Sequence, residues 1–142
     1  MTFDIEEAGY KYQPTDIDAC FGLAAIDDLE KVIEYRKELV KTYRENLKDL
    51  EKISIVAGGS SWLLGTLSED RDGLADFLKQ KNIDTNMIHL RNDIFNVFGG
   101  KRLDLPNMNW IEPRYLYLPL NTQVTKEDIG YICDKIKEFY KK

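Results

Sequence analysis

The sequence holds few of the residues that enzymes use as nucleophiles or metal ligands. Histidine occurs once, as His89, and cysteine twice, as Cys20 and Cys133. No spacing around His89 is typical of a nucleophile and its base, and no metal-binding motif surrounds it. The cysteines fall on apolar faces of predicted helices, which predicts two buried free thiols in a reducing compartment and neither a disulfide nor a metal site. The residues alone therefore predict no catalytic group.

Membrane spans, leaders and nucleotide-binding fingerprints are also missing from the sequence. No apolar run approaches the ~20 residues of a membrane span. The opening MTFDIEEAGY is acidic and has no apolar signal core. Neither a phosphate-binding loop nor a dinucleotide fingerprint occurs. The net charge is −5 with both signs mixed along the chain, which disfavours nucleic acid as a partner. We therefore expect a cytoplasmic protein that binds neither membranes nor nucleic acid.

The chain has enough apolar sequence for one domain spanning residues 1–142, since 43% of its residues are hydrophobic. Residues 1–14 are predicted to form an N-terminal arm. Thr15 and Asp18 have the spacing of a capping box, so one long helix is predicted over residues 15–50. Its apolar residues recur at spacings of three and four, interrupted only by Arg36. They are Ile26, Leu29, Ile33, Val40, Tyr43, Leu47 and Leu50.

Residues 51–142 are predicted to form a small sheet with helices. Period-two patterns predict four strands, ISIV, SSWLLGTL, IDTNMIHL and RYLYLPL, with the Gly-rich turn AGGS between the first two. A helix with Leu74, Phe77 and Leu78 on its apolar face is predicted over residues 68–82, ending at Asn82 as a left-handed cap. A last helix is predicted after the Thr125–Asp128 capping box. Its apolar face holds Ile129, Ile132, Cys133, Ile136, Phe139 and Tyr140. Residues 91–110 are predicted to be a long loop. The expected fold class is α/β (α+β), with a long N-terminal helix and a mainly antiparallel sheet of about four strands covered by helices on one face.

Two stretches have the composition of a binding site. GYKYQ, residues 9–13, stands at a helix entrance, where free N–H groups and Lys11 suit an anion such as phosphate, although an ordinary N-terminal arm is an alternative. HLRNDIFNVFGGKRLDLPN, residues 89–107, interleaves hydrogen-bonding side chains with Phe95 and Phe98, which suits a sugar or nucleotide, although a capped surface loop is an alternative. The polar members are His89, Arg91, Asn92, Arg102 and Asn107.

These stretches resemble the DegT/StrS sugar aminotransferases. The segment from Gly9 to Leu47 is similar to the loop and helix that open the C-terminal part of that family. The matching positions are Gly9, Tyr10, Tyr12, Asp16, Ile17, Ala19, Gly22, Leu23, Leu29, Arg36, Tyr43 and Leu47. The stretch from NIDTNMIHLRND to LPLNTQVTKEDIGYI resembles the family's C-terminal end, so the resemblance runs from about Gly9 to Ile136.

The resemblance implies a role in pyridoxal-phosphate (PLP) chemistry. The family's members are fold-type-I enzymes that aminate keto-sugars attached to nucleotides. It implies that Lys11, Tyr12 and Gln13 contact the cofactor phosphate, in the family across a dimer, and that His89, Arg91, Asn92 and Arg102 contact the nucleotide-sugar. Lys11 stands where the family most often has asparagine, and Gln13 and Pro14 replace arginine and methionine.

The resemblance also implies that the family's large domain is not in this sequence. That domain carries the lysine that holds PLP as a Schiff base and moves the proton. We therefore expect the chain alone to be inactive and to bind no PLP by itself. Its expected partners are the large domain or a second subunit, a nucleotide-sugar, and further copies in a homo-oligomer.

Three interpretations remain open from the sequence. The chain is part of an aminotransferase whose lysine lies on another polypeptide or on a removed portion. Alternatively, it is a stand-alone, non-catalytic module that binds a nucleotide-sugar or a partner protein, or a decayed gene product. The third interpretation is a free α/β domain with a chance resemblance.

Overall fold

The computed structural model describes residues 4–12, 14–57, 61–102 and 104–141. Within them, five helices, three strands and three 3₁₀ turns follow one another along the chain. They are α1 (Asp16–Ala25), a 3₁₀ turn (Ile26–Asp28), α2 (Leu29–Leu47), β1 (Ile53–Ala57), β2 (Leu64–Ser68), α3 (Arg71–Gln80), 3₁₀ turns at Asn92–Ile94 and Asn96–Phe98, α4 (Pro106–Ile111), β3 (Tyr115–Leu118) and α5 (Lys126–Tyr140).

The three strands form one antiparallel sheet in the order β1-β2-β3. Thr66 on the central strand is the register partner of Ile55 on β1 and of Leu116 on β3. The third predicted strand, IDTNMIHL over residues 83–90, is wrong, because this segment makes only an isolated bridge between Asn86 and Tyr117. The chain leaves the sheet edge after Asn86, and residues 86–90 are exposed. Apart from this strand count, the predicted fold class is confirmed.

The hydrophobic core lies between one face of the sheet and helices α2, α3 and α5. Its buried members include Leu39, Tyr43, Leu64, Leu74, Leu78, Ile129, Cys133 and Ile136, all at 0% exposure. The buried hydroxyl of Tyr43 donates to the carbonyl of Pro119 at 3.0 Å, which ties α2 to the chain after β3. Burial raises the pKa of this phenol, so it stays neutral and donates.

The long N-terminal helix is interrupted. The Thr15–Asp18 capping box begins α1 as predicted, but α1 ends at Ala25, and α2 ends at Leu47. The 3₁₀ turn between them keeps right-handed helical backbone angles and closes with a bond from the Leu29 N–H to the Ile26 carbonyl. Because apolar spacings of three and four fit both a helix and a 3₁₀ turn, the pattern that predicted one helix could not show this interruption.

The other predicted helices are present, and one was missed. Helix α3 begins at the cap Asp70 and is followed by Asn82 with φ of 59°, the left-handed residue that the sequence predicted. Helix α5 begins with the predicted Thr125–Asp128 capping box. Helix α4 lies in the segment predicted as a loop, and Pro106 is at its first turn, where proline favours a helix start.

No helix in the described part of the chain is both long enough and apolar enough to span a bilayer.

Candidate ligand-binding site

The sheet face opposite α2, α3 and α5 carries a cavity of about 450 Å³. Strand alternation produces this face: Leu64, Thr66 and Ser68 are buried towards the core, and Gly65 and Leu67 between them line the cavity. The segment after residue 86 and helix α4 form its other walls. Aromatic, apolar and imidazole side chains dominate the lining, which includes Trp62, His89, Leu90, Ile111, Tyr115 and Tyr117.

His89 lies in this cavity and is held from two sides. Its Nδ1 is 3.2 Å from the Tyr117 hydroxyl, and the Tyr115 hydroxyl donates to its backbone carbonyl. Its ring centroid is 6.4 Å from that of Trp62 and 5.9 Å from that of Tyr117. The structure therefore places this predicted site residue in an aromatic cluster, and its contact with a substrate stays a prediction.

Arg91 is buried, with its side chain 1% exposed. All five of its N–H donors are used inside the chain. Nε and Nη2 donate to the Asp93 carboxylate at 2.6 and 2.7 Å, and Nη2 also donates to the Arg102 carbonyl. Nη1 donates to Asn109 Oδ1 and to Glu112 Oε2, both at 2.8 Å. The geometry gives Arg91 a positioning role, and a direct contact with substrate stays a prediction that would require some of these bonds to break.

This network shifts the pKa of each ionised partner. The hydrogen bonds from Arg91 hold the pKa of Asp93 well below its ordinary value, and they raise the pKa of Arg91. Burial alone would raise the pKa of Glu112, but bonds from Lys101 and Arg91 outweigh burial and lower it. The charged state of the cluster is therefore favoured throughout the neutral range.

The other two predicted substrate residues lie outside the main cavity. Asn92 begins a 3₁₀ turn and lines a neighbouring cavity with Ile5 and Phe95. Arg102 is exposed and makes a two-pronged pair with Asp104, at 2.9 Å from Nε and 2.5 Å from Nη2. Its backbone N–H also donates to Asp93. The structure thus gathers all four residues on one cross-linked segment, residues 89–112, and only His89 faces the main cavity.

Two residues of the N-terminal arm, Asp4 and Ile5, bind that segment. The Asp4 carboxylate accepts hydrogen bonds from the backbone N–H of Asn96, at 3.0 Å, and from its side-chain amide, and the Ile5 carbonyl accepts from Val97. Farther along the arm, Lys11 and Tyr12 are exposed. Gln13, the third predicted phosphate contact, lies outside the described residues. The structure therefore brings Asp4 and Ile5 to the predicted substrate segment and leaves Lys11 and Tyr12 exposed.

Helix α1 has an uncovered apolar surface. None of its residues is buried, and Ile17, Phe21 and Leu23 are 70%, 72% and 71% exposed. Cys20 is exposed here, so its predicted burial is wrong, because the described part of the chain buries no residue of α1. Cys133 is buried as predicted, both thiols are free, and burial raises the pKa of Cys133 to about 12.

Sequence reasoning missed several cavity residues. The alternation in RYLYLPL could have placed Tyr115 and Tyr117 on one sheet face, and the structure puts both in the cavity. Trp62 had no comparable pattern in the sequence, and only the tertiary fold brings this cavity residue next to Arg36. Arg36 Nη1 donates to the Trp62 carbonyl at 3.4 Å, and among the described residues its buried Nε has no hydrogen-bond partner.

The fold is a small antiparallel sheet with helices on one face, and no residue of helix α1 is buried. The family model of the DegT/DnrJ/EryC1/StrS aminotransferases matches residues 1–137 of this chain. The chain belongs to this family.

Two curated relatives are similar to nearly the whole chain. An uncharacterised protein of Methanocaldococcus jannaschii is 28% identical over 96% of this chain, and the GDP-perosamine synthase of Escherichia coli O157:H7 is 27% identical over 93%. The chain spans only 39% and 38% of the length of these two relatives.

Solved structures show the same fold. A putative sugar aminotransferase of Streptococcus pneumoniae, in its PLP form, superposes with a TM-score of 0.81 at 23% identity, covering 97% of this chain and 38% of that one. The sugar aminotransferase CalS13 of Micromonospora echinospora gives a TM-score of 0.80 at 19% identity, covering 92% of this chain and 37% of that one.

Proposed function

We propose that this chain is the small, C-terminal part of a PLP-dependent nucleotide-sugar aminotransferase of the cytoplasm. In this role it contributes contacts to the substrate and to the cofactor phosphate. The reaction is amino-group transfer to a keto-sugar in amino-sugar biosynthesis. One observation carries the proposal: the family match spans residues 1–137, while the chain has only 39% and 38% of the length of the two curated relatives.

The exposed apolar surface of helix α1 supports the proposal that a further polypeptide packs on it. The apolar side chains of Ile17, Phe21 and Leu23 are exposed to water. Covering them with a further polypeptide would be favourable, because it removes apolar surface from water. We propose that the large domain, or a second subunit of a homo-oligomer, packs on this helix. The arm before it, with Lys11 and Tyr12 exposed, would then reach the neighbour's cofactor phosphate.

We infer that this chain carries only part of a PLP site. Lysine lines none of three cavities that the described part of the chain forms, and a Schiff base requires a lysine. Lys11, on the exposed arm, fits only a phosphate that approaches from outside. We therefore propose that the chain supplies binding and positioning groups, that the lysine is on a polypeptide region beyond these residues, and that the chain alone does not transaminate.

The test begins with the DNA upstream of the Met1 codon. If it encodes a large domain, in frame or as an adjacent gene, the two regions are produced together and assayed for PLP-dependent amino transfer to nucleotide-linked keto-sugars. We expect activity from the pair and none from either part alone. Activity of this chain alone would contradict the proposal. A nucleotide-sugar that binds to the chain with no large-domain gene nearby would favour the stand-alone module.

A further inference from the structure

We infer that Asp4 is a positioning residue: its contact with Asn96 fixes the start of the N-terminal arm to residues 89–112, so that the two stretches become ordered together. The inference rests on the proposed function, which gives the arm a role at the cofactor phosphate and residues 89–112 a role at the substrate. It concerns two residues, Asp4 and Asn96, that the sequence did not single out.

Both oxygens of the Asp4 carboxylate take part in the contact. Oδ1 accepts from the backbone N–H of Asn96 at 3.0 Å, and Oδ2 accepts from the side-chain amide of the same residue. Oδ1 also accepts from the backbone N–H of Ile5 at 2.8 Å, which fixes the carboxylate against its own chain. Hydrogen bonds to an ionised acceptor are stronger than those between neutral groups. A carboxylate therefore binds Asn96 more firmly than a neutral side chain would.

The backbone after Asp4 extends the contact. The Ile5 carbonyl accepts from the Val97 N–H at 2.9 Å, and the Ile5 side chain lines a cavity together with Phe95. Phe95 is only 5% exposed, so the contact lies next to a buried residue. Asp4 and Ile5, with Asn96 and Val97, form what we call the arm anchor.

The arm anchor lies on a part of residues 89–112 that is itself cross-linked. Asn96 begins a 3₁₀ turn, and the residue before it donates its backbone N–H to the Asn92 carbonyl. Asp93, three residues before Asn96, accepts two hydrogen bonds from the buried Arg91 guanidinium. The anchor therefore joins the arm to the same hydrogen-bonded segment that begins with His89.

The rest of the arm has no comparable contact. Residues 6–12 are exposed, and within the described chain no hydrogen bond or ion pair joins them to another element. Lys11 and Tyr12 lie in this stretch, and helix α1, which follows it, has no buried residue. Separating Asp4 from Asn96 would therefore release one end of this exposed stretch. The conformational freedom of Lys11 and Tyr12 would then increase, because the loop between the anchor and the core would no longer be closed.

Coupling of this kind acts in both directions. A phosphate that the arm binds orders the arm, and through the arm anchor it favours the ordered form of residues 89–112. A substrate that residues 89–112 bind favours the ordered arm in the same way. Each ligand should therefore bind more tightly when the other is present, because the two share one ordering step.

The first test uses the whole chain, labelled with ¹⁵N, and measures amide hydrogen exchange and ¹⁵N–¹H NOE values. Asp4→Ala should speed exchange at the Val97 amide about tenfold, although the acceptor of that amide, the Ile5 carbonyl, is unchanged. The NOE values of Lys11 and Tyr12 should fall in the same variant, because they report fast backbone motion. Glu7→Ala is the matched control, since it removes the same charge from an exposed arm residue, and it should change neither measurement.

Exchanging the two side chains separates positioning from a general effect on folding. Asn96→Asp alone would bring two carboxylates together and should release the arm as Asp4→Ala does. Combining Asn96→Asp with Asp4→Asn restores a donor on one partner and an acceptor on the other. The double variant should recover slow exchange at Val97 and the higher NOE at Lys11.

The functional consequence is measured on the pair formed by this chain and the large domain. Asp4→Ala should weaken PLP binding about tenfold and leave kcat at saturating PLP unchanged, because the arm positions a phosphate contact and no reacting group. Glu7→Ala should bind PLP like the unaltered pair.

Three results would overturn the inference. In the first, Val97 exchanges equally fast in Asp4→Ala and in the unaltered chain. In the second, exchange becomes faster but the NOE values of Lys11 and Tyr12 do not change. In the third, the double variant exchanges as fast as Asp4→Ala. An inactive pair would refute the proposed function alone, because exchange and NOE values are measured on this chain by itself.

Discussion

Arg91 and Glu112, 21 residues apart in the sequence, are joined by a 2.8 Å hydrogen bond from Nη1 to Oε2. The same guanidinium binds Asp93 and Asn109, so it connects the chain after His89 to helix α4 and to the residue that follows it. Leu90 and Ile111, each next to a member of this network, line the main cavity. The network therefore fixes the outer wall of the cavity, although Arg91 does not face it.

Arg91→Lys should loosen residues 89–112 and leave the core in place. Lysine keeps the charge but has three donors from one atom in place of five in a planar fork. Cleavage by a protease within residues 89–112 should become about tenfold faster, while the α2–α3–α5 core resists. Arg102→Lys is the control, since the ion pair between Arg102 and Asp104 is exposed and should contribute little to holding the segment in place. Equal cleavage rates in Arg91→Lys and the unaltered chain would show that the network does not hold the segment.

Acid should destabilise the protein through this network. The pKa values of Asp93 and Glu112 lie below their ordinary values of 3.8 and 4.5 in the folded chain. Their contribution to the free energy of unfolding is therefore complete above those ordinary values and is lost as the pH falls below them. Urea titrations at several pH values should show constant stability from neutral pH to about pH 5 and a decline below it.

Asp93→Asn tests whether Asp93 causes part of that decline. The variant should be less stable at neutral pH and should lose less stability between about pH 5 and pH 3, because it has one fewer depressed carboxyl to protonate. If the free energy of unfolding falls with pH equally in the variant and the unaltered chain, Asp93 does not contribute to the acid-induced loss of stability.

The two thiols should differ sharply in reactivity. Cys20 is exposed, whereas Cys133 is buried with a pKa raised to about 12. A disulfide reagent at neutral pH should modify Cys20 quickly and Cys133 at least about a hundredfold more slowly until denaturant is added. Cys20→Ser should remove the fast reaction. A fast reaction that persists in this variant would show that Cys133 is accessible.

Cys20 also reports on the partner proposed for α1. If the large domain or another subunit covers this helix, co-production should slow the modification of Cys20. An unchanged rate in the active pair would place the contact elsewhere on the chain.

Gly65→Ala should disturb the cavity from below. The new methyl group would press on the Val56 carbonyl, at 3.1 Å, and on the ring of Tyr117. Overpacking of this kind costs about 1–3 kcal/mol in the free energy of unfolding. Urea unfolding measures the loss in the free energy of unfolding. The fluorescence of Trp62 should also change, because the aromatic rings around Tyr117 shift. Gly130→Ala is the control, since a Cβ there meets nothing within 4 Å. Equal stability of the two variants would refute the close approach.

The sequence by itself determined the elements that depend on local chemistry. The capping boxes at Thr15 and Thr125 and the left-handed Asn82 are set by side chains within a few residues of each other, and all three are present. The resemblance of the loop-and-helix opening likewise gave the family, because a motif is a local property. The apolar periods predicted the core faces of α3, α5 and the C-terminal half of α2, whereas Leu29 at the start of α2 is 50% exposed.

The tertiary structure decided the features that depend on distant residues. Whether residues 83–90 pair as a strand depends on what lies at the sheet edge, and only Asn86 stays there. The burial of Arg91 depends on acceptors up to 21 residues away. The exposure of Cys20 depends on what covers α1, which an apolar period cannot reveal. The cavity itself joins residues from Val56 to Tyr117, and only the antiparallel register brings them within reach of one ligand.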